Sequence, residues 1–206
     1  MKKTQNRIIS PHAGWRLCLY VMLVMFASCK SCKKEVNALP DATQTGANTA
    51  GCLIDGKAWI PNGSSDSSGD VILAGGYLLP LSGRPKNCVE IRMYRRDRSL
   101  MYVYVKSVDK PGRYPLSFDT STDLLSVSTK SFAIYSIDGF MIDDPDYNYI
   151  TTSQYTGHVN FTVADTTRKL LAGTFEFDAI DTPSKRTIRV TEGRFDLNQQ
   201  FLPIKR

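Results

Sequence analysis

Histidine is nearly missing from this 206-residue chain: there are two, and only His158 lies beyond the first 28 positions. A nucleophile–histidine–acid triad would have to use that one imidazole, and no nucleophile-elbow pattern accompanies it. His158 is therefore read as a solvated strand residue. Five cysteines show no paired spacing of the kind that holds zinc. No apolar run reaches the roughly 20 residues of a membrane-spanning helix, and neither a helical apolar period nor a fixed-length repeat occurs after Gly51. Acid is absent from the first 28 residues, which carry Lys2, Lys3, Arg7 and Arg16. The other 178 residues hold 22 basic and 20 acidic side chains, so the overall +6 falls to +2 there, and nucleic acid is excluded as the expected partner. With 42% hydrophobic and 22% charged residues, wholesale disorder is excluded too. A chain of this length buries roughly 70% of its unfolded surface and needs no staples.

What the chain does have begins with residues 17–28 (LCLYVMLVMFAS), an apolar run of 12 behind a basic start. That is the length of a signal-peptide core. The small pair Ala27-Ser28 then precedes Cys29, and the arrangement resembles the lipobox of bacterial lipoproteins, with Phe26 where leucine is usual. The resemblance implies cleavage before Cys29, lipidation of its sulfur and acylation of the new amino terminus. Several acyl chains give stable anchoring where one would not. Residues 1–28 are thus expected to be a signal peptide and the partner of the N-terminal lipid to be a membrane. Residues 30–50 are polar and read as a flexible tether with a reach of about 25 Å.

From residue 51 to 206 the pattern is that of a single antiparallel β domain. Short alternating runs rich in Val, Ile, Phe and Tyr are cut by Gly, Pro, Asp and Asn. Asp55-Gly56 between two such runs predicts a two-residue hairpin turn. Val89, Ile91 and Met93 alternate with Glu90, Arg92 and Tyr94, and Val159, Phe161 and Val163 alternate with polar neighbours. Phe175, Phe177 and Ala179 form a further strand, and Ile188 and Val190 begin the last one. There the phase changes, because Phe195 and Leu197 are odd-numbered, which predicts a bulge at Glu192-Gly193. The expected fold is an all-β antiparallel sandwich or open curled barrel ending in a three-stranded meander. Cys52 and Cys88 are the one pair available for a disulfide in the folded part, the alternative being two separate buried thiols.

The segment TGANTAGCLIDGKAWIP and the strands GTFEFDAI and TIRVTEGRFDL resemble an uncharacterised family of Bacteroides-type outer-membrane lipoproteins. The matching positions are Gly51, Cys52 and Trp59, then Gly173, Phe175 and Phe177, then Thr191, Gly193, Phe195 and Asp196. The resemblance implies a fold and an outer-membrane location, with no activity attached and the face of the membrane left open.

Candidate chemistry is sparse, and no cofactor is called for. Asp138, Asp143, Asp144 and Asp146 lie close enough in sequence for the last three to supply part of a calcium shell, although Pro145 also fits a solvated turn. Around them, Tyr147, Asn148, Tyr149 and Tyr155 can stack on and hydrogen-bond a sugar, or simply pack on half-buried strands. Arg92, Arg95, Arg96 and Arg98 make a basic hairpin suited to phosphate-bearing lipid, or an ordinary solvated link. The expectation is a non-enzymatic binding module for a ligand such as a glycan. The alternative is a structural accessory subunit of a cell-envelope protein assembly.

Overall fold

The computed structural model describes residues 35–62, 73–78, 85–117, 130–137 and 148–198. The described chain is all-β. Its strands are β1 (Thr49–Ile54), β2 (Lys57–Trp59), β3 (Leu73–Tyr77), β4 (Val89–Tyr94), β5 (Leu100–Val105), β6 (Gly112–Leu116), β7 (Phe132–Ser136), β8 (Asn148–Ile150), β9 (Gly157–Asp165), β10 (Leu170–Ile180) and β11 (Thr187–Asn198). They form one antiparallel sheet in the order β2-β1-β11-β10-β8-β7-β5-β4-β3. Along most of its length β10 pairs with β9, which in turn pairs with β6, and only Ile180 at its far end reaches β8. The sheet curls into a half-barrel, and β9, β10 and β11 are the expected meander.

The local signals explain the turns. Asp55 and Gly56 both have positive φ, 49° and 78°, as a two-residue hairpin twisted with its strands requires. At the β9–β10 turn the Asp165 carboxylate accepts the amides of Thr167 and Arg168 at 2.9 and 2.8 Å.

The bulge expected near Glu192 is present. Phe175 pairs with Gly193 but Phe177 with Val190, so β11 carries one extra residue there. The β1 side shows the same slip, with Gly51 opposite Arg194 and Leu53 opposite Thr191. Glu192 has φ 54°. The extra residue lets Ile188, Val190, Phe195 and Leu197 all face one core despite their change of parity. A second bulge was not expected: Ala172 pairs with Val163 and Gly173 with Phe161. Thr162 is the unpaired residue, so Ala164 rather than Val163 packs against the core.

Beside the bulge, two glycines and two phenylalanines face each other reciprocally. Gly173 is opposite Phe195, and Phe175 is opposite Gly193. A Cβ on Gly173 would lie 2.3 Å from the Asn160 carbonyl oxygen, and one on Gly193 would lie 2.4 Å from that of Phe175. Each ring thus covers the strand where the partner has no side chain, which accounts physically for the G-x-F spacing in both strands.

The core has two clusters on opposite faces of the sheet. The larger takes Val89, Ile91 and Met93 of β4, Met101, Val103 and Val105 of β5, and the phenylalanines of β9, β10 and β11. The smaller takes Leu100, Tyr102 and Tyr104 of β5, with Phe132, Ile134, Ile150 and Cys88. All six residues of β5 are buried, as expected of a strand covered on both faces. Glu90, which alternates away from the main core, is therefore not in water. It is 5% exposed, pairs with Arg92 and accepts the Tyr102 hydroxyl proton at 3.0 Å.

The expected tether is corrected from Glu35 onward. Residues 35–48 are a strap docked on the sheet, and the compact unit starts at Glu35. Leu39 is 7% exposed. The Asp196 carboxylate, 1% exposed, accepts the Thr43 hydroxyl at 2.5 Å and the amides of Thr45, Gly46 and Ala47 at 2.9, 2.7 and 3.2 Å. The Glu35 carboxylate accepts the Ala58 amide at 2.9 Å and so caps the edge of β2. Polarity misled the sequence reading, because the strap is held through its own backbone amides and hydroxyls.

Burial opposes ionisation of Asp196, but the bonds from Thr43, Thr45, Ala47 and Gly46 outweigh it and hold the carboxyl below its ordinary value. Its contribution is complete above the unfolded carboxyl's pKa of about 3.9 and is lost as pH falls through the lower folded value. Asp196→Asn turns one acceptor oxygen into a donor facing donors. It is expected to cost about 2–4 kcal/mol by denaturant titration at pH 7 and to shrink the acid limb of the stability curve. A variant as stable as the parent would contradict the clasp.

Candidate functional site

The residues richest in exposed chemistry gather where β4 turns into β5. Arg95, Arg96, Asp97 and Arg98 make this turn, closed by the Arg95 amide on the Ser99 carbonyl at 2.9 Å and the Arg98 amide on the Arg95 carbonyl at 3.0 Å. Arg98 takes φ 68°. Asp97 accepts both the amide and the hydroxyl of Ser99, at 3.0 and 2.6 Å. Partial burial works against its charge, yet the two Ser99 bonds and nearby Arg95 hold its carboxyl below the ordinary value.

This turn rests on an aromatic row. The Trp59 indole donates to the Ser99 hydroxyl at 3.0 Å, and the Arg95 guanidinium lies 6.0 Å from the centre of its ring. Trp59 meets Tyr135 edge-on at 6.2 Å, and Tyr135 meets Tyr149 at 6.1 Å. Burial raises the Tyr135 hydroxyl pKa. Above the row, Arg96 and Arg98 are exposed. Ser136, the residue before Ile137, pairs with Leu100, the residue after Ser99. Ile137, 48% exposed, is the only large hydrophobic residue recorded as exposed among the described residues. Positive charge beside an apolar side chain can meet an anionic or amphipathic partner; it does not assemble an acid, a base and a nucleophile.

The expected site residues fare differently. Cys29, Asp143, Asp144, Asp146 and Tyr147 lie outside the described residues. Asn148 opens β8, with its backbone paired to Ser136. Tyr149 is 6% exposed and belongs to the main core, so it is the floor of this end and not a ligand surface. Tyr155 is half-buried in the β8–β9 connection, where its amide bonds the Thr152 hydroxyl at 3.1 Å. Tyr149 and Tyr155 therefore do not form one stacking platform. His158 lies among strands β6, β9 and β10, 3.0 Å from an Arg113 guanidinium nitrogen and 3.5 Å from a Glu176 oxygen. Among the described residues no group of three His, Cys, Asp or Glu side chains is placed to hold a metal.

Cys52 and Cys88 are free thiols, both fully buried. The disulfide alternative is corrected to two separate thiols, because Cys52 faces the main core and Cys88 the smaller cluster. Cys88 accepts the Tyr104 hydroxyl at 3.0 Å. Burial pushes the Cys52 thiol up to about 12. Sequence reasoning missed the Trp59–Ser99–Asp97 link and the clasp on Asp196. The first carried no signal; the second was visible only as the final Asp of the T-x-G-x-F-D strand.

No protein-family model, no curated protein and no solved structure matches the chain.

Two measurements check this placement. Tyr149→Ala is expected to cost about 3–5 kcal/mol as a core truncation, and Tyr155→Ala distinctly less; equal effects in denaturant titration would contradict it. Cys52 and Cys88 are expected to resist alkylation at pH 8 in the folded protein and both to react after denaturation without reductant. A pair needing reduction first would restore the disulfide.

Proposed function

We propose that the protein is an exported outer-membrane lipoprotein, acylated at Cys29, whose β domain is a non-enzymatic binding or interaction module. This reading places it with the Bacteroides-type lipoproteins that its strand motifs resemble. The observation that carries it is the strap. The folded unit begins at Glu35, six positions after Cys29, so a lipid on that cysteine mounts the domain directly on the bilayer. A second line of support is what the described ionisable groups do. Asp196 clamps the strap, Asp97 shapes a turn, Glu35 caps an edge and Asp165 closes a hairpin. Each acts as structural hydrogen-bonding capacity, which suits a rigid surface better than proton transfer.

The surface expected to take a ligand is the segment bearing Asp143, Asp144, Asp146 and Tyr147, which lies outside the described residues. A glycan or another envelope ligand is the expected occupant. The accessory-subunit reading is its competitor, supported by β3, which ends the strand order and pairs only with β4 among the described residues.

Two tests decide. Cys29→Ala is expected to abolish acyl labelling and leave the chain unprocessed; acylation that persists in this variant removes the anchor. Melting of the acylated protein in mild detergent is then measured with glycans and divalent cations, with chelator controls. A ligand at 100 times its Kd adds about 2.7 kcal/mol, a shift of several degrees. A flat panel, together with co-purification of one envelope protein, favours the accessory subunit.

A further inference from the structure

The strap also bears on which part of the domain would face a bilayer that held Cys29. Five residues, Lys30, Ser31, Cys32, Lys33 and Lys34, separate Cys29 from Glu35. At 3.6 Å per residue the six steps between the two Cα atoms span at most about 22 Å. The Glu35 carboxylate is bonded to the Ala58 amide, and the next residue, Trp59, donates to Ser99 at the β4–β5 turn. Asn62 closes the same neighbourhood from the other side, its side-chain oxygen accepting the Arg96 amide at 3.3 Å. The point where the chain enters the fold and the basic turn are thus joined through the Glu35 carboxylate, the Ala58–Trp59 backbone and the Trp59 indole.

We propose that the β4–β5 turn and Ile137 are the membrane-facing surface of the domain, with Arg96 and Arg98 on the anionic headgroups of the bilayer that holds the anchor. This rests on acylation at Cys29. Three observations converge on it. The connecting residues 30–34 carry three lysines and no acid. The turn carries three arginines against Asp97, which is already engaged by Ser99 and Arg95. The exposed isoleucine follows Ser136, which pairs with Leu100 at the end of this turn, and interfacial surfaces likewise combine basic charge with apolar side chains. Asp138, Asp143, Asp144 and Asp146 follow Ile137 in the sequence and lie outside the described residues.

The test is hydrogen exchange of the processed full-length protein in detergent, in zwitterionic vesicles and in vesicles containing anionic phospholipid, with the acyl mass on Cys29 read in the same samples. Slowed exchange at residues 95–99 and 137 is expected in the anionic vesicles alone. A basic residue near such a surface favours contact about fivefold, so Arg96→Glu, which changes the charge by two, is expected to weaken local docking roughly twentyfold. Ile137→Glu is expected to abolish the slowing without moving the melting temperature. Unchanged exchange at these residues on anionic vesicles overturns the proposal even where Cys29 is acylated, and so does equal slowing on zwitterionic vesicles. If Arg96→Glu lowers the melting temperature by several degrees with no lipid dependence, the arginine serves the chain's own aspartates and the proposal falls. A missing acyl mass is a separate result and removes the anchor.

Discussion

The extra residue at Glu192 is the constraint on which the arrangement turns. β11 is paired on both sides, with β1 and with β10, and both partners slip register at the same place. Without the slip, a continuous alternation would set Ile188 and Val190 on one face and Phe195 and Leu197 on the other, and the strand would serve two half-cores. With it, all four meet one core. The same shift turns Asp196 to the opposite face, 1% exposed beneath the strap, where its two oxygens collect donors from four residues about 150 positions away. Core and strap are thus set by one backbone irregularity, and the positive φ of Glu192 is its local cost, held in place by the pairing of β11 on both sides.

The reciprocal glycine–phenylalanine pairs belong to the same region and act as its lock. A register moved by two residues would keep every side chain on its proper face, so alternation alone does not forbid it. It would, however, bring the rings of Phe175 and Phe195 opposite residues that carry side chains, and the close approaches at Gly173 and Gly193 leave no room for that. Packing specificity therefore selects the register that hydrophobic patterning leaves degenerate.

Sequence reading reached the elements whose partners are near in the chain. The Asp55-Gly56 hairpin, the meander and the first bulge follow from residue type and parity, because turn chemistry and two-residue alternation are local. Three features escaped it for one reason: each is decided by something distant. Thr162 looks like an ordinary polar position on β9 until the register of β10 is known. Glu90 alternates like a solvent residue, but the second face of β4 is covered, and Arg92 and Tyr102 supply what water would have. The strap is polar and short of large apolar side chains, as tethers are, and its attachment comes from backbone amides that carry no sequence signature. For the candidate site the same logic held. The arginines were visible as a cluster, but the Trp59 side chain that joins them to the start of the fold was not.

A β sheet covered on both faces at β5, and carrying a strap held to β11, leaves the ends of its described strands as the places where charge is exposed on a braced backbone. The described ionisable side chains sort accordingly. Those with low exposure hold internal bonds, Asp196 to the strap and Glu90 to Arg92 and Tyr102, while Arg96 and Arg98 stand on a turn braced by Asp97, Ser99 and the Trp59 indole. Such a turn fixes the backbone that carries these guanidinium groups, which lowers the ordering cost of engaging a partner. With Cys29 acylated as proposed, the strap works in the same direction, since a domain within about 22 Å of such an anchor samples few orientations compared with one on a free 21-residue tether. The docked strap and the braced turn under the arginines are therefore two parts of one arrangement, in which the fold determines where the charge of the β4–β5 turn is presented.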